Sequence, residues 1–175
     1  MRKPISAIIE RIGETDQLYL QENTAELALE RADLRLQLVH YSQLHQEQIH
    51  FLQEAIVLLE QARVEFEDIT LNRYLELSIC LANAYMLYYE ISKESKFALI
   101  TQQILKPLAH YQDSDILFLL AYSSAANQQP AMTRHWLSKY SHTTEFDRLK
   151  TQQHPAFKSY HNHDWFQHIL FKKIH

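Results

Sequence analysis

A chain of 175 residues, 46% hydrophobic and 22% charged, suits a single globular domain spanning 1–175 whose core needs no covalent staples. Its one cysteine, Cys80, excludes a disulfide framework and any multi-cysteine zinc site, and a net charge of −4 argues against a nucleic-acid footprint. Gly13 is the only glycine, so the positive-φ turns of a sheet protein and a glycine-rich phosphate loop are all but excluded. The expected fold class is all-α.

Helical punctuation divides the chain. Residues 1–22 read as an N-terminal helix and linker, with Pro4–Ile12 amphipathic and Gly13 expected to stop it. Asn23 or Thr24 caps a helix to about Tyr41, with Leu27, Leu34, Leu38 and Tyr41 on one stripe. A second helix covers about Glu47–Phe66. Thr70, after Glu67-Asp68, caps a third over Leu71–Ser92, whose apolar and aromatic character predicts a central place. Lys96–Tyr111 forms a fourth helix that Pro107 kinks, and Asp113-Ser114-Asp115 offers an N-cap for a fifth over Ile116–Asn127. The turn at Gln128–Pro130 leads into a sixth, Ala131–Ser141. Residues 142–175 differ, with short helical pieces broken at Pro155 and at Asn162-His163-Asp164. Three helix–turn–helix pairs over 23–141, each of some 35–45 residues, have the period of a stacked solenoid.

No segment suits a secretory h-region, because Glu10 and Arg11 end the short run Ile5–Ile9. Nor does any run approach the roughly 18 uncharged apolar residues of a membrane span. Leu77–Tyr89 comes closest, but Glu76 and Glu90 bracket it and Asn83 interrupts it, so it reads as a buried helix. A soluble, cytoplasmic protein is expected. Residues 1–70 sum to −7 and 71–175 to +3, and the acidic half reads as a solvated helix face.

Leu119-Leu120-Ala121-Tyr122, with Ala131 and Trp136-Leu137, resembles the core of a tetratricopeptide-type helix pair. Leu81-Ala82-Asn83-Ala84-Tyr85, with Ala98, is similar to the same signature one pair earlier. Leu149-Lys150, then Pro155-Ala156-Phe157, then Asp164-Trp165-Phe166 through Ile169-Leu170, resembles the tail that caps bacterial members of that family. The likeness is good over about the last 60 residues, fair over 71–111 and weak before that. Glycine is absent from the small-residue positions, and the proline that closes each repeat is missing after Glu67 and Tyr111.

The resemblance implies a short right-handed solenoid of three antiparallel helix pairs with an N-terminal helix and C-terminal capping helices. Its concave groove would be lined by first-in-pair helices, and the repeat pattern puts Ile79, Asn83, Met86, Phe118 and Tyr122 toward it. A clamp for a partner's terminal carboxylate is disfavoured. Neither 74–92 nor 115–127 holds a Lys or Arg. The expectation is a non-catalytic adaptor, client-specific chaperone or neutralising partner that binds an apolar or amphipathic helix or loop of another protein.

A second reading uses the histidines, eleven in all. His161, His163 and His168, with Asp164 four residues before His168, supply ligand types for a metal-binding or metal-dependent hydrolytic site. Against it, no zinc-helix signature such as H-E-x-x-H is present, and no metal or other cofactor is assigned. His40, His45 and His50 step by five and spread around their helix. Cys80 reads as an inert thiol, Ser123-Ser124 lacks a nucleophile elbow, and Glu26/Glu30 reads as surface. Catalytic residues: none. Lys172 and Lys173, beside His175, are too few to indicate an anionic surface. Broad apolar faces on the second and third helices leave homodimerisation as a third possibility.

Overall fold

Side-chain oxygens start several of the helices. Thr24 Oγ1 accepts from the Leu27 amide at 3.1 Å and Thr70 Oγ1 from the Arg73 amide at 3.3 Å. Asp113 Oδ1 takes the amides of Asp115 and Ile116, and Asp147 Oδ1 that of Lys150. Each cap satisfies backbone donors that the first helical turn leaves without partners. The computed structural model describes residues 3–66 and 68–171, which form helices joined by short connections, with no strand among them. Glu67, Lys172, Lys173 and His175, singled out above, lie outside the described residues.

The chain divides into two compact units, Met1–Lys93 and Glu94–His175. The first contains α1 (Lys3–Gln21), α2 (Ala25–Tyr41), α3 (His45–Glu65) and α4 (Leu71–Ser92), each packed on its neighbour in sequence. Alanines 28, 32, 55, 62, 82 and 84 are buried where these helices approach, and Leu52, Leu59, Leu77 and Leu81 fill the centre without exposure. Burial of one such leucine stabilises the unit by about 1.5–3 kcal/mol.

α1 does not stop at Gly13; it runs eight residues beyond it, to Gln21. A mid-helix glycine costs about 1 kcal/mol, and tertiary contacts on both sides of it outweigh that. Before it, Ile8 packs with Leu34 and Leu38 of α2, with Ile5, Ile12 and Phe51 around them. After it, Thr15 is fully buried and Asp16 pairs with Arg31 and Arg35. A Cβ built on Gly13 meets nothing within 4 Å. Gly13→Ala is therefore expected to raise the stability of this unit by about 0.5–1 kcal/mol, read from a urea midpoint followed by circular dichroism.

The second unit holds α5 (Ser95–Leu105), a 3₁₀ segment Lys106–Tyr111, α6 (Ser114–Ala126) and α7 (Pro130–Tyr140). It closes with α8 (Arg148–Gln153), a second 3₁₀ segment Pro155–Tyr160 and α9 (Asp164–Phe171). Pro107, which lacks an amide hydrogen, sits where α5 tightens into 3₁₀ geometry. α6 is the enclosed helix: every residue from Ile116 to Ser124 is buried. α4, expected to be a buried central helix, instead buries only part of the circumference of Leu77–Tyr89.

Glycine is also missing from the positions where the backbone turns left-handed. Lys93 (φ 61°), Gln112 (φ 56°) and Gln128 (φ 55°) occupy them instead. Lys93 and Gln112 close helical segments there. Such conformations cost a residue bearing a Cβ about 1 kcal/mol relative to glycine.

Candidate functional site

On α4, the buried residues Leu77, Ser78, Leu81, Ala82, Ala84 and Met86 form the packed side. The remaining side carries Ile79, half-buried, Asn83, exposed, and Leu87, half-buried, at successive four-residue steps. Half-buried Cys80 and Ile91 flank this stripe, and exposed Glu76 and Glu90 stand near its two ends. Of the residues expected to contact a partner, Ile79 and Asn83 therefore lie on the open side. Met86, 2% exposed, belongs to the interior instead. Leu87 was not singled out from the sequence, although its spacing from Asn83 is the signal that finds it.

Phe118 and Tyr122, expected in the same groove, are covered from within their own unit. Phe118 is 5% exposed and Tyr122 8%. The Phe118 ring meets Tyr140, His154 and Phe157 edge-on at centroid distances of 5.4, 5.4 and 5.9 Å. The Lys150 ammonium lies 4.1 Å from the centroid of the same ring. Tyr122 meets His154 at 4.4 Å. The tail closes over α6 because edge-to-face aromatic pairs and a cation over a ring each add about 0.5–1.5 kcal/mol to the burial itself. Asp147 fixes its start, since its amide donates to the Tyr140 hydroxyl at 3.1 Å. Burial raises the pKa of that tyrosine.

α4 does receive a cation, from a neighbouring helix. Arg63 of α3 donates to Ser78 Oγ at 3.1 Å and to the Tyr74 hydroxyl at 3.0 Å. It serves the packed side of α4, away from Ile79 and Asn83. One turn earlier on α3, Glu60 accepts from the Tyr85 hydroxyl at 2.9 Å. Burial, then this hydrogen bond, pushes the Tyr85 pKa up to about 12.

The acidic N-terminal helices are extensively cross-linked. Glu30 accepts from Arg11 at 2.7 Å, and Glu26 pairs with Arg73 at 3.1 Å. Arg35, 7% exposed, binds Asp16 of α1, Glu54 of α3 and the carbonyl of Arg31.

The C-terminal histidines separate. His161 stacks on Phe166 at 5.3 Å, His163 meets Tyr160 and Trp165 edge-on, and His168 is exposed on α9. Among the described residues no three His, Cys, Asp or Glu side chains stand close enough to share an ion. The Ser123 and Ser124 hydroxyls both donate to the Leu120 carbonyl. Burial, then the charge of Asp33, pushes the Cys80 thiol up to about 12. At pH 8 iodoacetamide is therefore expected to alkylate Cys80 at least about tenfold more slowly than an unhindered thiol, because the thiolate is the reacting form. Equal rates, measured by mass spectrometry, would contradict that environment.

An all-helical protein of sequentially packed helices is the class these observations define. No helix among the described residues is long and apolar enough to cross a membrane. In comparisons with known proteins, the chain matches no family model, no curated protein and no solved structure.

Proposed function

We propose that the protein is a non-catalytic binding module of degenerate tetratricopeptide-like type. In this reading it grips an apolar or amphipathic segment of another protein on the open side of α4. The observation that carries the reading is the stripe Ile79, Asn83 and Leu87, left incompletely buried on a helix whose other side is tightly packed. Apolar anchors at four-residue steps suit a helix or an extended loop laid along them. The acidic surplus of residues 1–70 would orient a partner bearing positive charge. Cytoplasmic localisation is part of the same reading.

Affinity purification from the native organism after mild cross-linking tests this. A stoichiometric protein partner is expected, retained by Val64→Ser, which changes an 82% exposed side chain on α3, and lost by Ile79→Asp combined with Asn83→Arg. Capturing no partner, or one that both variants retain, would contradict the proposal.

A further inference from the structure

Two cross-helix pairs fix how α2 lies against α4. Glu26 meets Arg73 at 3.1 Å, and the Asp33 carboxylate stands close enough to Cys80 for its charge to act on the thiol. Arg73 follows Glu26 by 47 residues and Cys80 follows Asp33 by the same 47, so these packed helices run parallel in one register. Leu36 of α2 therefore stands beside Asn83 of α4, and His40 beside Leu87.

This register widens the open stripe of α4 into a face of two rows. The α4 row is Ile79, Asn83 and Leu87, apolar at its ends and polar in its middle. The α2 row has the same order: Leu29 and Leu36 are half-buried, and exposed Asp33 lies between them. One polar group on each helix thus sits among four incompletely buried apolar side chains. Apolar residues scattered singly are ordinary surface, whereas these four border one carboxylate and one amide across two packed helices.

The centre of the face is acidic and has no cation of its own. Asp33 Oδ2 accepts from Gln37 Nε2 at 2.7 Å, and Oδ1 has no donor among the described residues. The arginines of both helices are engaged elsewhere. Arg31 and Arg35 of α2 turn to Asp16 of α1, and Arg73 of α4 is held between Glu26 and Glu76. An anionic centre ringed by apolar surface is complementary to a cation with apolar neighbours, and it repels a carboxylate.

We infer that the segment received on this face is a basic amphipathic helix, with a lysine or arginine seated on Asp33 and apolar residues on either side of it lying on Leu36, Ile79 and Leu87. The inference rests on the partner-binding reading and adds the chemistry of the partner and the contribution of α2.

The test is a nitrogen-15 NMR titration of the full chain with a capped helical alanine peptide carrying leucine, lysine and leucine at four-residue steps. Its twin has glutamate in place of the lysine. The lysine peptide is expected to shift the amides of residues 29–36 and 79–87 and the Asn83 side-chain amide, and the glutamate twin to leave them in place. Asp33→Asn, at an exposed position, should weaken the lysine peptide about threefold to fivefold, the worth of one exposed ion pair, and Asp33→Lys should make the face prefer the twin. Glu10→Gln removes a charge from the exposed side of α1 and should change neither affinity. Equal responses to the two peptides, no response to either, or equal losses from Asp33→Asn and Glu10→Gln would overturn the inference. So would shifts of the same amides on raising the protein concentration alone, which would give the face to a second copy of the chain. The α4 reading is judged separately: a partner lost by Ile79→Asp with Asn83→Arg but kept by Asp33→Lys upholds that reading and sinks the basic one.

Discussion

Phe157→Ala is expected to destabilise the second unit by about 3–5 kcal/mol, the cost of emptying a fully enclosed aromatic site. Phe157 has no exposed surface and stands between Phe118, 5.9 Å away, and Phe166, 6.4 Å away. Its neighbours belong to three elements, so the cavity cannot close by moving one side chain. The loss also removes one of the rings against His154, whose own ring lies 5.3 Å from that of Phe157 and covers Tyr122. Trp136 and Trp165 are the only tryptophans and both lie in this unit, so urea unfolding followed by tryptophan fluorescence reports it selectively. Phe157→Leu, which keeps most of the volume, should recover at least half of the loss. A change below about 1 kcal/mol for Phe157→Ala would mean that the tail is not packed as described.

In the first unit a large effect is expected from Arg35→Ala, a loss of about 2–4 kcal/mol. The Arg35 guanidinium is nearly buried and ties three helices together through Asp16, Glu54 and the carbonyl of Arg31. The two carboxylates keep about two-fifths of their side-chain surface in water, so removing the arginine strands neither completely. That places the cost toward the lower part of the range for broken buried pairs. Arg35→Lys should recover little, because one ammonium cannot reproduce the planar fork that reaches both carboxylates. Asp16→Asn is expected to cost less than Arg35→Ala, since Arg35 keeps Glu54. Circular dichroism in urea reads all three, and a fully additive Arg35→Ala/Asp16→Asn double variant would show that the two side chains do not interact.

Local signals in the sequence located the helix starts accurately. Thr70 caps as expected, and Thr24 and Asp113 are the caps among the candidates at 23–24 and 113–115, because a cap is a bond to an amide two or three residues away, written in the neighbouring sequence. The breaks at Pro107 and Pro155 were legible for the same reason. What escaped was non-local. The continuation of α1 past Gly13 depends on pairings such as Arg11–Glu30 and Asp16–Arg35, each nineteen residues apart in the chain. Left-handed turns at Lys93, Gln112 and Gln128 carry no glycine to mark them.

The candidate site followed the same division. The repeat pattern grouped Ile79 with Asn83 and Phe118 with Tyr122, and residues four apart share a face of their helix. It does not say what lies on that face. The tail residues that cover α6, Lys150, His154 and Phe157, are about thirty residues downstream of it. Met86 was misplaced for a related reason. Three residues on from Asn83 is a neighbouring position on a helix, and here the boundary between packed and open sides runs between the two.

The most direct test of the central claim is amide hydrogen exchange on the protein alone and with its co-purified partner bound. Slower exchange in the bound state, centred on residues 79–91 of α4, is the predicted result. Unchanged exchange along α4, with protection confined to other helices, would contradict the assignment of that face as the binding surface.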